Sequence, residues 1–347
     1  MNSKTGIIYF FKNLLSGLCL IAAASFILIA SDNSGARKPS DDVKRIAVFQ
    51  FASRPTLDES VAGCLDKMAA RGLKNGGKVL IKKFNAENDS PAANAIAREI
   101  TMAGFDMVIT MSTPALQIMA NANKETKLIH IFGTVTDPAG AGVGITYDGP
   151  YSHPAHMAGV GTFQPVEKLI AIIKEINPSI KSLGTPWALS EKCSEACVLK
   201  ARKTCASLGI TLVEMPVEGS TAVLEASRAL LQKGVEAIWV GGDNVVEIAI
   251  DSVVKAAAES NIPVFTNNPD HAEKGAYASL GANYYQVGET VGEIASDVIY
   301  GKPAAKVPIE NIVPENLVIN LKKKQNLSSR WKLTDALIKR AAKIIKQ

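Results

Sequence analysis

The sequence predicts an α/β protein of two lobes, each a parallel β-sheet flanked by helices, with a cleft between them. Three observations carry this expectation. Strand-length apolar runs alternate with helix-patterned stretches along most of the chain, which is the signature of βαβ units. The alternation breaks over residues 138–161 (PAGAGVGITYDGPYSHPAHMAGVG), a Gly- and Pro-rich stretch without periodicity between two similar βα runs, as a connection between lobes would be. Finally, 347 residues with 47% hydrophobic side chains suffice for two cores at roughly 100–200 residues per domain.

The elements follow in order. Lys4 and Lys12 precede an uncharged run over residues 14–30 (LLSGLCLIAAASFILIA); a basic flank followed by an apolar run reads as an export segment, either a cleaved signal or a retained N-terminal membrane anchor. Residues 31–43 form a polar linker. Residues 45–51 (RIAVFQF) predict the first strand, and Leu57, Val61, Leu65, Met68 and Ala69 then place one apolar stripe on a helix. Strands at 78–84, 107–111 and 128–132 alternate with helices at 91–103 and 114–122. Beyond the break come a helix at 165–176, a weak strand at 182–189, a helix at 194–208 and an extended run at 211–216. A helix at 221–233, a strand at 237–240, a helix at 245–260 and a strand at 263–265 complete the pattern.

Composition narrows the function classes. Charge is near average, and Gly and Pro are dispersed, which excludes disordered and collagen-like chains. Five Cys are too few for a disulfide scaffold, although Cys193 or Cys197 could bridge to Cys205 in an oxidising compartment. The net charge of +5 is unevenly spread: residues 302–347 hold 11 basic and 3 acidic side chains, leaving the middle of the chain negative. That last segment, with Lys322 to Lys324, Lys339 and Arg340, lacks interleaved aromatics, so it reads as a solvated helix face, not a nucleic-acid platform.

In parallel sheets ligands bind beyond the carboxyl ends of the strands, so the loops that follow strands hold the candidate site. Ser112-Thr113-Pro114 opens a helix, where free N–H groups favour an anion; the same residues serve an ordinary cap. Asp137, in Thr136-Asp137-Pro138, can meet a ligand ammonium or cap a turn. Asp243-Asn244, behind Gly241-Gly242, carries the same two readings. No phosphate-binding glycine loop follows any strand, and Gly140 to Gly144 reads as a hinge. His153 and His156 lack neighbouring carboxylate ligands, so neither a metal nor another cofactor is expected. No nucleophile elbow marks a hydrolase, and the chain is not expected to be an enzyme. Trp239 reads as core; Trp187 suits core or cleft.

Several phrases together resemble the ABC transporter substrate-binding protein family, the type I periplasmic-binding group that includes tryptophan- and other amino-acid-binding members. They are RIAVFQFASRPTLDESVAGCLDKMAARGLKNGGKV, MVITMSTPALQIMANA, TVTDPAGAGV, GDNVVEIAIDSVVKAAAESNIPVFTNN, AYASLGANYYQVGETVGEIASDVIYGK and NLVINLKKKQNLSSRWKLTDALIKRA. The chain departs from the family pattern at Cys193, within Glu191-Lys192-Cys193-Ser194, and at Arg54 before Pro55. A third departure is His156-Met157-Ala158-Gly159. The resemblance implies three lobe crossings, with lobe one at 44–150 plus 273–301 and lobe two at 151–272 plus 302–347. It implies a small-molecule ligand held by hinge closure, with its carboxylate at Ser112 and Thr113. An amine would meet Asp137, Asp243 or Glu191. Ser194, Asn244 and Arg54 complete the implied site, and Arg54 would favour an extra anionic group. The implied partner is an ABC permease, served by a monomeric receptor outside the cytoplasm. The alternative is an anchored sensor or accessory domain that delivers no cargo. A regulator with a helix-turn-helix is not expected, because an apolar segment stands where that motif would lie.

Overall fold

The apolar runs of the first half pair as parallel strands. The computed structural model describes residues 43–322 and 327–346; the export segment, all but the end of the linker, and Lys323 and Lys324 lie outside the described residues. One sheet joins β1 (Lys44–Gln50), β2 (Val79–Asn85), β3 (Met107–Met111), β4 (Ile129–Val135), β5 (Met157–Gly161) and the short β11 (Glu310–Asn311). Their order is β11-β5-β4-β3-β1-β2 and every pairing is parallel. Parallel sheets need both faces covered, and all of β3 is buried. Helices α1 (Pro55–Ala70), α2 (Ser90–Met102) and α3 (Thr113–Ala122) connect the strands, and α10 (Tyr284–Ile299) packs on α1.

The second sheet holds β6 (Ser182–Ala188), β7 (Thr211–Val217), β8 (Ile238–Val240), β9 (Val264–Thr266), β10 (Ala278–Ala282), β12 (Glu315–Asn320) and β13 (Lys343–Ile345). Its order is β13-β12-β10-β9-β8-β6-β7, parallel except for the β10–β12 pair. Helices α4 (Val166–Ile176), α5 (Lys192–Ser207), α6 (Val223–Gln232), α7 (Asn244–Ile248), α8 (Ile250–Glu259), α9 (His271–Lys274) and α11 (Asp335–Arg340) belong to this lobe. Trp187 and Trp239 both sit in its core, with Ile170, Ile173 and Phe265. Among the described residues no helix is long and apolar enough to cross a membrane.

The sheets draw the lobes differently from the sequence reading. Residues 157–161 belong to the first sheet, beside β4, because Gly159, at φ +158, lets this strand lie against Phe132, where a Cβ would collide with the Phe132 carbonyl. Residues 278–282 belong to the second sheet, between β9 and β12. The chain therefore passes between the sheets at 162–165, at Asn283 and at 312–314. Gly140 to Gly144 is no hinge: Ala141 is buried within lobe one and its carbonyl accepts from Gln117 Nε2 at 2.9 Å. His153 lies in the same lobe, 3.0 Å from the Val307 carbonyl. Among the described residues, the basic C-terminal segment has one α-helix, over Asp335–Arg340, and a short 3-10 turn at Ala304–Lys306, and its cations include Arg330, Arg340 and Lys343, paired with Glu236, Glu175 and Glu273. Cys64, Cys193, Cys197 and Cys205 are all free and buried, so no bridge to Cys205 forms.

Candidate functional site: the interlobe cleft

Strand ends and helix starts from both lobes converge on one cavity holding about 320 Å³ of space not filled by atoms. Lobe one contributes Arg54, Thr56, Ser112, Thr113, Thr134 and Thr136. Lobe two contributes Cys193, Gly242, Asp243, Asn244 and Glu247, while Gln164 and Tyr284 come from the crossing segments. The cleft thus brings together five candidates read from the sequence, Arg54, Ser112, Thr113, Asp243 and Asn244. Asp137, Glu191 and Ser194 lie outside its lining.

Arg54 precedes Pro55 at the start of α1 and reaches across the cleft, where its Nη1 lies 3.0 Å from Glu247 Oε2. Both side chains are largely buried. Glu247 also accepts from Asn268 Nδ2 at 3.0 Å. Burial pushes the Glu247 carboxyl up, against the opposing pull of Arg54 and Asn268. The arginine charge is already answered within the protein, so it does not require an extra anionic group on a ligand.

The first turns of α1 and α3 differ in what they leave open. In α3, Ser112 Oγ accepts from Ala115 N at 3.3 Å and Pro114 has no N–H, so the Thr113 N–H is the donor left at the open end. In α1, the first backbone bonds start from Leu57 and Asp58, both to the Arg54 carbonyl, and Arg54 gives no side-chain cap. Thr56 Oγ1 and Arg54 Nε are buried there without a partner. Two residues of this wall carry strained backbone: Ser112 at φ +108 and Thr134 at φ +54, the latter at an irregularity in the β4–β5 pairing. Such outliers cluster at ligand sites.

On the opposite wall the acids are tied up locally. Asp243 Oδ1 accepts from Val245 N and Val246 N, both at 2.9 Å, capping α7. Its Oδ2 accepts from Ser194 Oγ at 2.6 Å and Ala188 N at 2.7 Å. Asp243 and Ser194 therefore brace the loop. Glu191 Oε2 accepts from Asn244 N at 2.7 Å, Asn244 Nδ2 at 2.9 Å and Cys193 Sγ at 3.2 Å. Burial first, and the Asp243 charge second, push the Glu191 carboxyl up to about 7. With its amide nitrogen engaged, Asn244 leaves Oδ1 buried and without a partner. Asp137 turns to its own loop, accepting from Tyr147 OH at 2.5 Å and Gly140 N at 3.0 Å.

Thr56, Thr134, Gln164, Glu247 and Tyr284 were not legible as site residues. Thr56 carried a signal, since it ends a strand-following loop and opens a helix. Gln164 is placed by a lobe crossing: its Oε1 accepts from Thr136 Oγ1 and Cys197 Sγ, both at 3.3 Å. A crossing position is set by tertiary topology.

The family described as ABC transporter substrate binding protein matches residues 45–345. A tyrosine-binding protein of Clostridioides difficile (strain R20291) is 27% identical over 290 residues, covering 84% of this chain and 82% of that protein. The ABC domain in complex with L-Trp from Streptococcus pneumonia superposes with a TM-score of 0.81 at 27% identity, over 87% of this chain and all of the other (100%). The ligand-free, open structure of a substrate-binding protein with adhesive properties from Clostridium difficile gives a TM-score of 0.66 at 26% identity, over 88% and 100% of the two chains.

Proposed function

The chain belongs to the ABC transporter substrate-binding protein family, and on that premise we propose that it is the extracytoplasmic receptor of an importer, holding an α-amino acid between its lobes. The observation that carries the ligand class is the set of polar atoms without partners. Arg54 Nε and Thr56 Oγ1 on one wall can donate, and Asn244 Oδ1 on the other can accept; all three are buried and belong to residues of one cavity. A buried polar group left unmade costs about 1–3 kcal/mol, so this set calls for a solute with an acceptor at one end and a donor at the other.

The carboxylate lies against the open first turns of α1 and α3, at Thr56 and Thr113, where the positive ends of two helix dipoles meet it. The ammonium lies against Asn244 Oδ1, in the negative field of Glu247, Asp243 and Glu191. A ligand that touches both walls has higher affinity for the closed arrangement and shifts the population toward it. Closer superposition on an L-Trp complex than on an open, ligand-free relative, at nearly equal identity and coverage, supports reading the present arrangement as the closed one. Export by the segment at 1–30, as a signal or a retained anchor, and delivery to an ABC permease complete the proposal.

A thermal-shift screen tests it. A ligand at 100 times its dissociation constant stabilises the protein by about 2.7 kcal/mol, so at least one α-amino acid should raise Tm clearly. The absence of a shift with all of them would refute the ligand class.

A further inference from the structure

We infer that the solute is a short, polar α-amino acid and that the Arg54–Glu247 pair is the wall that excludes aromatic ones. The inference rests on reading the cleft as an amino-acid site. Hydroxyl side chains dominate the lobe-one wall, from Thr56, Ser112, Thr113, Thr134 and Thr136. The lobe-two wall offers a thiol, an amide and carboxylates. Tyr284 is the one aromatic among the described residues lining the cavity. Trp187 and Phe163 pack against the lobe-two core, and Tyr147 is turned to Asp137.

An aromatic side chain brings roughly 150–250 Å² of surface that gains by apolar contact. Set against these walls its ring would strip hydroxyls and carboxylates of water and return at most the single polar group of Tyr or Trp, which buried polar groups penalise.

The pair marks where that space stops. Arg54 and Glu247 line the cleft, and they also line a second cavity of about 570 Å³ bounded by Ser53, Ile248, Asp270 and Lys274. The ion pair therefore stands between two spaces. On this side of the cleft a longer side chain would have to displace two largely buried charges from each other, which is strongly unfavourable. A side chain as short as that of Ser, Thr or Asn ends before the wall and finds hydroxyl partners.

Calorimetric titration of the full chain, free of co-purified solute, with Ser, Thr, Asn, Phe, Tyr and Trp decides the matter. Ser, Thr or Asn should bind at least tenfold tighter than every aromatic. Tighter binding of Tyr or Trp would overturn this inference while leaving the amino-acid reading intact. Binding of none of the six, nor of any other α-amino acid, would overturn both. In the folded double variant Arg54→Ala/Glu247→Ala, the preference for the short polar ligand over Tyr should fall at least tenfold. An unchanged ratio, with the thermal unfolding transition intact, would remove the wall from the account.

Discussion

Glu191 sits where its charged form is least welcome: buried, beside Asp243, with Arg54 too far engaged elsewhere to neutralise it fully. Its carboxyl titrates at an ordinary value of 4.5 when exposed and at about 7 in the fold. Between those values the folded chain holds a proton that the unfolded chain has released, so stability falls as pH rises through that window. Below it both states are protonated and the penalty vanishes. Glu191→Gln keeps a carbonyl for the Asn244 and Cys193 donors and has no charge to bury. The variant should gain Tm over wild type at pH 8 and lose that advantage by pH 4.5; thermal unfolding across this range checks it. Residue-scale legibility was uneven for a related reason. Ser112, Thr113, Asp137, Asp243 and Ser194 all look alike in sequence, as polar groups after strands. Which of them faces the cleft depends on local partners: Tyr147 claims Asp137 and Asp243 claims Ser194.

Between elements, α1 and α10 approach so closely that glycine is required at the contact. A Cβ on Gly288 would collide with the Ser60 carbonyl, one on Gly63 with the Tyr285 carbonyl and one on Gly292 with the Cys64 carbonyl. Because backbone faces backbone, the clash has no flexible side chain to absorb it. Gly288→Ala should destabilise the protein by about 1–3 kcal/mol or more through overpacking, read as a lowered denaturation midpoint in urea. The elements that sequence periodicity found were those with branched or aromatic strands. In the first half their bounds fall within about three residues of the observed ones. It passed over β5 (MAGVG) and β10 (ASLGA), whose small residues have weak strand propensity. These strands exist because neighbours on both sides supply the pairing, with Gly159 fitted under Phe132.

For the molecule as a whole, the interlobe pair Arg54–Glu247 ties closure to the cleft. Removing the arginine leaves Glu247 buried without its cation in the closed form, a loss on the order of 3–5 kcal/mol for a broken buried pair, whereas opening would let water reach the carboxylate. Ligand-free Arg54→Ala should therefore be the more open protein. Small-angle scattering should give it a larger radius of gyration than ligand-free wild type, and the same value would argue against the pair as a closing contact. The two lobes and a cleft between them were legible from the alternation, its break and the chain length, but the cleft's full lining was not, since Gln164, Glu247 and Tyr284 are brought together only by the first two crossings. The central claim is that a solute bridges the lobes through the open start of α1. It is tested most directly by titrating Thr56→Val with the amino acid that binds wild type best. Valine keeps the shape and removes the hydroxyl, so affinity should fall about tenfold, or ~1.4 kcal/mol, while Tm without ligand stays at or above that of wild type, because the hydroxyl removed has no partner in the protein. Wild-type affinity in that variant would contradict the account.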